Sequence, residues 1–269
     1  MKSRLIVAAI GVPILYLVLL SGFSEHIAWA VSVSVALGIA ALELCTMLRR
    51  MGPFVPAAFL PVALAPLFAW RLSEVGIFLA MLAVVPLIMV FQGLSNDRED
   101  PLGAVLATLA PVVYLAPAAG LVVILRQAEA GFDLTLLLIA SVFLNDTGAY
   151  FVGRAIGRHK LSPRISPNKS VEGFVGGVLI GTFVMWYGHF LVETGGEHVL
   201  TGWEALGIGV AVALVTPMGD LFESLLKRSA GVKDSGSLLG EHGGVLDRVD
   251  ALMMAIPVMY VGCFFAGAL

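Results

Sequence analysis

Asp220, Glu223, Ser224 and Lys227 recur at i, i+3, i+4 and i+7 inside an otherwise apolar run. On a helix that spacing puts all four on one face. A charge at the bilayer centre costs about 2.5–3.5 kcal/mol on insertion scales, so a stripe of this kind turns away from lipid. One reading is an ion pair that neutralises itself, Lys227 with Asp220 or Glu223. The other is a wet cavity that binds a metal or a substrate. The chain that follows, KRSAGVKDSGSLLGEHGGVLDRVD from Lys227 to Asp250, adds cations (Lys227, Arg228, Lys233) and acids (Asp234, Glu241). It then passes a His-Gly-Gly turn at 242–244 and reaches Asp247 and Asp250. Capping of a helix N-terminus explains one of those two acids. If the runs carrying Asp220 and Asp247 pack antiparallel, carboxylates from neighbouring helices meet beside lysines and arginines. Hard oxygen donors of that kind suit Mg²⁺ and phosphate oxygens. One histidine and no cysteine argue against zinc. His242 reads equally as a ligand or general acid and as a turn residue, while Gly243 and Gly244 permit positive φ and close backbone approach.

A second polar group lies upstream, in NDTGAYFVGRAIGRHK (145–160) and SPNKSVEG (166–173). Asp146, Ala149, Tyr150 and Gly153 share a helical face. Ser170 is a candidate N-cap, followed by Gly173, Gly177 and Gly181 at the four-residue spacing of a smooth packing surface. Lys169, flanked by Ser166 and Ser170, sits where helix N-terminal amides and an ammonium together suit a phosphate. Arg154, Arg158 and Arg164 also fit attraction to lipid headgroups.

These residues need elements to hold them. The chain has 269 residues, 59% apolar and 13% charged, with a mean hydropathy of +0.96. Soluble domains carry about 25% charged residues, so the bilayer is the expected solvent. Nucleic-acid binding and disulfide scaffolds are excluded, and Cys45 and Cys263, both within apolar runs, are expected to be buried thiols. Nine apolar runs approach the length of a membrane-spanning helix: 5–22, 27–48, 54–70, 75–92, 102–125, 134–151, 174–192, 206–226 and 249–269. The expected fold is therefore an all-α, polytopic integral membrane protein of about nine transmembrane helices. With nine spans, 14 of the 16 Lys and Arg residues fall on the N-terminal side and only Arg71 and Arg126 on the other. The positive-inside rule then puts the N-terminus in the cytoplasm. Residues 1–134 hold 9 glycines and residues 135–269 hold 21. Residues 1–130 are read as five packing and lipid-facing spans. Residues 131–269 are read as four catalytic spans with cytoplasmic loops at 153–172 and 229–248. Glu43 is the only acid within a span of the first half; its expected role is a helix-end ion pair with Arg49 or Arg50, or snorkelling.

The segment SLLKRSAGVKDSGSLLGEHGGVLDRVD, with DTGAYFVGR and SPNKSVEG, resembles the signature of the phosphatidate cytidylyltransferases, or CDP-diacylglycerol synthases. One departure is Gly240, where many members carry proline. The resemblance implies that the phosphate of phosphatidic acid attacks the α-phosphorus of CTP, giving CDP-diacylglycerol and pyrophosphate. It assigns Mg²⁺ to Asp220 and Asp247, and implies a second, monovalent cation such as K⁺ and a homodimer in the cytoplasmic (inner) membrane. Catalytic roles fall to Asp220, Asp247 and Lys227. Phosphate contacts fall to Lys169, Arg228, Lys233 and Arg248. The remaining substrate-binding candidates are Ser166, Ser170, Ser224, Asp234, His242, Gly243 and Gly244, with Asp146, Glu223 and Asp250 as support.

Physical chemistry agrees with such a reaction. A phosphate monoester has a second pKa near 6, so no strong base is needed; the task is to offset repulsion between two phosphates, as metal ions and Lys/Arg clamps do. An ion-coupled transporter, a nucleotidyltransferase for another lipid phosphate, and a structural scaffold are the rival readings.

Overall fold

The computed structural model describes residues 26–94, 100–194, 197–236, 238 and 243–269. The expected run 5–22 and His242 lie outside them. Helices α1 (Ile27–Met47), α2 (Val55–Leu82), α3 (Val84–Leu94), α4 (Pro101–Gln127), α5 (Gly131–Ile156), α6 (Val171–Gly188), α7 (Gly202–Ala230) and α8 (Leu246–Ala266) account for most of them. Seven stretches are long and apolar enough to cross a membrane, α2 and α3 forming one stretch, Val55–Phe91. The protein is an all-α polytopic membrane protein, and its large exposed side chains, such as Val35, Phe78, Met89 and Leu179, are apolar. That is the surface expected where lipid is the solvent.

The stretch Val55–Phe91 is not one rod. Ser73 has φ 50° and ψ −138°, and Leu60 and Val90 line the same cavity. An unbroken helix would hold residues that far apart in sequence about 45 Å apart. The chain doubles back near Ser73, so the two arms correspond to the separate runs expected at 54–70 and 75–92. Gly76 is needed at the crossing, because a Cβ there would lie 2.2 Å from the Phe68 carbonyl oxygen.

The described chain forms two compact units. One combines the chain up to Ile124 with Ala230–Arg248; the other combines Leu125–Ser229 with Val249–Leu269. In the first, Trp29 donates its indole N–H to the Val122 carbonyl at 3.3 Å. The Phe54 N–H goes to Thr108 at 2.8 Å, closing the buried start of α2. Cys45 in this unit and Cys263 in the other are both buried and free.

In the second unit the expected glycine stripe is the packing face. Gly173, Gly177 and Gly181 are buried on α6, against Ala149, Asn145 and Gly153 of α5. Ser141 donates to the Gly181 carbonyl at 2.9 Å. Asn145 solves a further problem. Pro217 lies inside α7 and has no N–H to give to the carbonyl four residues earlier, that of Ala213. Asn145 Nδ2 donates to that oxygen at 2.8 Å. A backbone acceptor that lipid could not satisfy is thus satisfied by the neighbouring helix, and α5 is tied to α7 one residue from Asp146. The segment between α5 and α6, expected as a plain loop, contains a small antiparallel ladder of β1 (Lys160–Ser162) and β2 (Ser166–Ser170). A second minimal ladder pairs Glu193–Thr194 with Glu197–His198.

Gly177→Ala puts a methyl group 2.6 Å from Asn145 Oδ1 and is expected to destabilise the protein by about 1–3 kcal/mol. Gly207→Ala, with nothing within 4 Å of the new methyl, should be neutral or stabilising, as alanine generally is in a helix. Thermal unfolding of both variants in detergent checks the contrast.

Candidate active site

The polar residues of α5 and α7 and of the β1–β2 segment meet in one cavity of about 510 Å³. Asp146, Tyr150, Arg154, Ser166, Lys169 and Asp220 are among its lining residues. Lys169 Nζ lies 2.7 Å from Asp220 Oδ2, with both side chains partly exposed to the cavity. Asp146 is close enough to interact with both charges. The face anticipated from Asp146, Ala149, Tyr150 and Gly153 is therefore a cavity wall. Arg154 Nη1 donates to the Tyr150 hydroxyl at 2.9 Å, which holds the guanidinium over the same opening.

Ser170 caps α6 as expected, its Oγ accepting the Gly173 N–H at 3.1 Å. Two residues later, Glu172 holds the preceding turn. Its carboxylate accepts the Arg158 N–H at 3.0 Å and lies 2.6 Å from His159 Nδ1. This links the start of α6 to the end of α5 and fixes where the β1–β2 segment begins, and with it Lys169.

Along α7 the polar stripe is real, and its members pair in two sets. Ser224 donates to Asp220 Oδ1 at 3.2 Å. Lys227 Nζ lies 2.7 Å from Glu223 Oε2, where Glu223 is almost fully buried. The self-neutralised pair considered from sequence therefore exists, between Glu223 and Lys227, while Asp220 is left to Lys169 and the cavity. Helix α8 meets α7 at Gly219, where a Cβ would lie 2.3 Å from the Asp250 carbonyl oxygen. Asp250 is buried and close enough to Asp220 and Asp146 to interact with both. Asp146 and Asp250 thus stand near Asp220, with Glu223 one turn along the same helix. Arg228 is exposed.

The signature loop of the other unit has its own order. Asp247 Oδ2 accepts the N–H of Ser235 at 3.0 Å, its hydroxyl at 2.9 Å and the Gly244 N–H at 2.7 Å. Gly243 has φ +75° and turns the chain so that the next amide reaches Asp247. That amide faces the protein's own carboxylate. Lys233, Asp234 and Arg248 are exposed. Glu43 departs from expectation. It does not act as a snorkelling helix-end acid; it is buried, and its carboxylate accepts the N–H groups of Val245 at 3.0 Å and Leu246 at 2.9 Å. Sequence spacing held no sign of this, since the partners are some 200 residues apart. Asn145 was missed for the same reason.

The fold and the cavity define a polytopic membrane protein with a pocket lined by both acidic and basic side chains. The cytidylyltransferase family pattern matches residues 2–266. Phosphatidate cytidylyltransferases of Staphylococcus aureus (strain COL) and Staphylococcus epidermidis are each 31% identical over 265 residues, covering 97% of this chain and 98% of theirs. The protein of that name from Staphylococcus saprophyticus is 35% identical over 182 residues, 68% of this chain and 67% of its own. The chain belongs to the cytidylyltransferase family and is a nucleotidyltransferase.

Removing Lys227 strands a buried Glu223 charge. Lys227→Met is expected to cost about 3 kcal/mol or more, and adding Glu223→Gln should recover much of it. A double-mutant cycle by thermal unfolding tests this; a double variant no more stable than Lys227→Met alone would show that the pair is not coupled.

Proposed function

We propose that the protein transfers the cytidylyl group of CTP to the phosphate of phosphatidic acid, giving CDP-diacylglycerol and pyrophosphate. A phosphatidate oxygen forms the new bond to the α-phosphorus as the bond to the bridging oxygen of pyrophosphate breaks. The observation that carries this reading is the cavity that joins Lys169, Arg154 and the N-terminus of α6 to Asp146 and Asp220. Ammonium, guanidinium and helix amides suit phosphate oxygens, and the carboxylates would repel those oxygens without a cation between them.

Mg²⁺ is the cation we propose, held by Asp220 and Asp247. The donors fit: they are hard carboxylate oxygens. Among the described residues no group of three or more His, Cys, Asp or Glu side chains could hold a metal alone, and Mg²⁺ is typically bound by one or two carboxylates plus substrate phosphates. When bound, it offsets the charge of the triphosphate and of the departing pyrophosphate. A nearby monovalent cation such as K⁺ and a homodimer rest on the family resemblance.

The chain's own groups do the positioning. Lys169 moves from Asp220 towards a phosphate when substrate enters, and Arg154 stays aligned through Tyr150. Ser224 orients Asp220, and Ser235 with the Gly244 amide orients Asp247. Lys227, held by Glu223, places positive charge on the same face of α7 as Asp220. Arg228, Lys233 and Arg248 supply further charge for phosphates, and Ser166 and Asp234 are assigned to substrate contacts. The excess of Lys and Arg on the N-terminal side of the spans supports a site at the cytoplasmic face of the cytoplasmic membrane, where CTP and the lipid headgroup meet.

Detergent-purified protein should convert CTP and phosphatidate to CDP-diacylglycerol and pyrophosphate in the presence of Mg²⁺, and a panel of lipid phosphates tests the acceptor. Asp247→Asn should lower turnover by about 100-fold or more with the fold intact; wild-type turnover in that variant would remove Asp247 from the metal. Lys169→Ala should raise the KM for CTP or phosphatidate, and unchanged kinetics would leave Lys169 with a purely structural pairing.

A further inference from the structure

We infer that Glu43 is a positioning residue for nucleotidyl transfer: from a helix of the N-terminal half, its carboxylate fixes the loop that carries Asp247. This rests on the function proposed above. Glu43 lies within the apolar helix α1 and is only 8% exposed, a costly place for an acid. Its Oε1 accepts the Val245 N–H at 3.0 Å and its Oε2 the Leu246 N–H at 2.9 Å.

These two amides open α8, where a helix leaves its first N–H groups without partners in its own backbone. Serine, threonine, asparagine or aspartate at the N-cap would normally serve the neighbouring first-turn amides, but Val245 stands there. Asp247 is taken up with Gly244 and Ser235. Glu43 acts as the missing cap, and the positive end of the helix dipole stabilises its charge.

The link continues to the proposed metal ligand. Ser235 Oγ lies 3.3 Å from Glu43 Oε2 and 2.9 Å from Asp247 Oδ2, so one hydroxyl stands between the two carboxylates. The loop also closes directly on Glu43. A Cβ at Gly236 would lie 2.6 Å from Oε1, and one at Gly244 would lie 2.4 Å from Oε2. Only glycine lets the backbone come so near. A cap alone would need neither the two glycines nor the serine bridge; together they hold the main chain on both sides of Asp247's donors at fixed distances from α1.

The test uses the full-length protein in lipid nanodiscs, with two readouts: turnover of CTP and phosphatidate, and hydrogen exchange of the Val245 and Leu246 amides. Glu43→Ala should speed exchange of those amides by about tenfold or more and lower kcat per folded molecule by about tenfold or more. Glu43→Gln, which keeps one oxygen at the same reach, should fall between. If Glu43→Ala does not fold, Ser235→Ala reads the same link: kcat should fall with the unfolding temperature retained. Unchanged exchange in the Glu43 variants, or unchanged kcat in any folded variant of an active protein, would overturn the inference. Failure of the wild type to transfer cytidylyl groups would overturn the proposed function instead, while exchange at Val245 and Leu246 would still decide whether Glu43 holds the loop.

Discussion

A polar group inside a bilayer must find its partner within the protein. That constraint decides which contacts matter here, because apolar side chains gain little from one another where lipid is equally apolar. The specific ties are therefore polar and few. Asn145 supplies the donor that Pro217 withholds from Ala213. Ser141 reaches the Gly181 carbonyl. Glu43 takes two amides at the start of α8. Each tie sits within a few residues of an acid or base of the candidate site, so the groups that hold helices together also set the distances between charges.

The charged groups follow the same rule. Glu223 is offset by Lys227, Asp220 by Lys169, and Asp247 by three donors from its own loop. Of these, the pair of Lys169 and Asp220 faces the cavity, where the proposed exchange of the carboxylate for a substrate phosphate has room to occur. The deeper pair on α7 cannot open without leaving a buried charge, which suits a fixed field better than a moving clamp.

Much of this was legible in the sequence because it is periodic or local. The i, i+3, i+4, i+7 polar stripe, the Ser170 cap three residues before Gly173, and the glycines at every fourth position all declare themselves by spacing. So did the interruption between 70 and 75, where the chain doubles back at Ser73. The sequence was silent where meaning depends on a distant partner. A lone Glu43 near Arg49 and Arg50 has the pattern of a helix-end ion pair, and only the fold brings Ser235, Gly244, Val245 and Leu246 to it. Asn145 reads as one more polar residue beside Asp146 until the missing proline donor on α7 is seen. The β1–β2 ladder is too short and too polar for an alternating pattern to emerge.

Among the described residues, the segment Ala230–Arg248 groups with the chain up to Ile124, although the helices on either side of it group with the rest. The recognisable motifs therefore do not mark a portable module. A fragment cut after Ile124 would keep every aspartate, lysine and glycine of the signature, yet Ser235, Val245 and Leu246 would lose the carboxylate they close upon. Grafting or shuffling the C-terminal half onto another set of leading helices requires an acid at the equivalent depth, and a chimera lacking one would insert and still be poorly organised around Ser235, Val245 and Leu246.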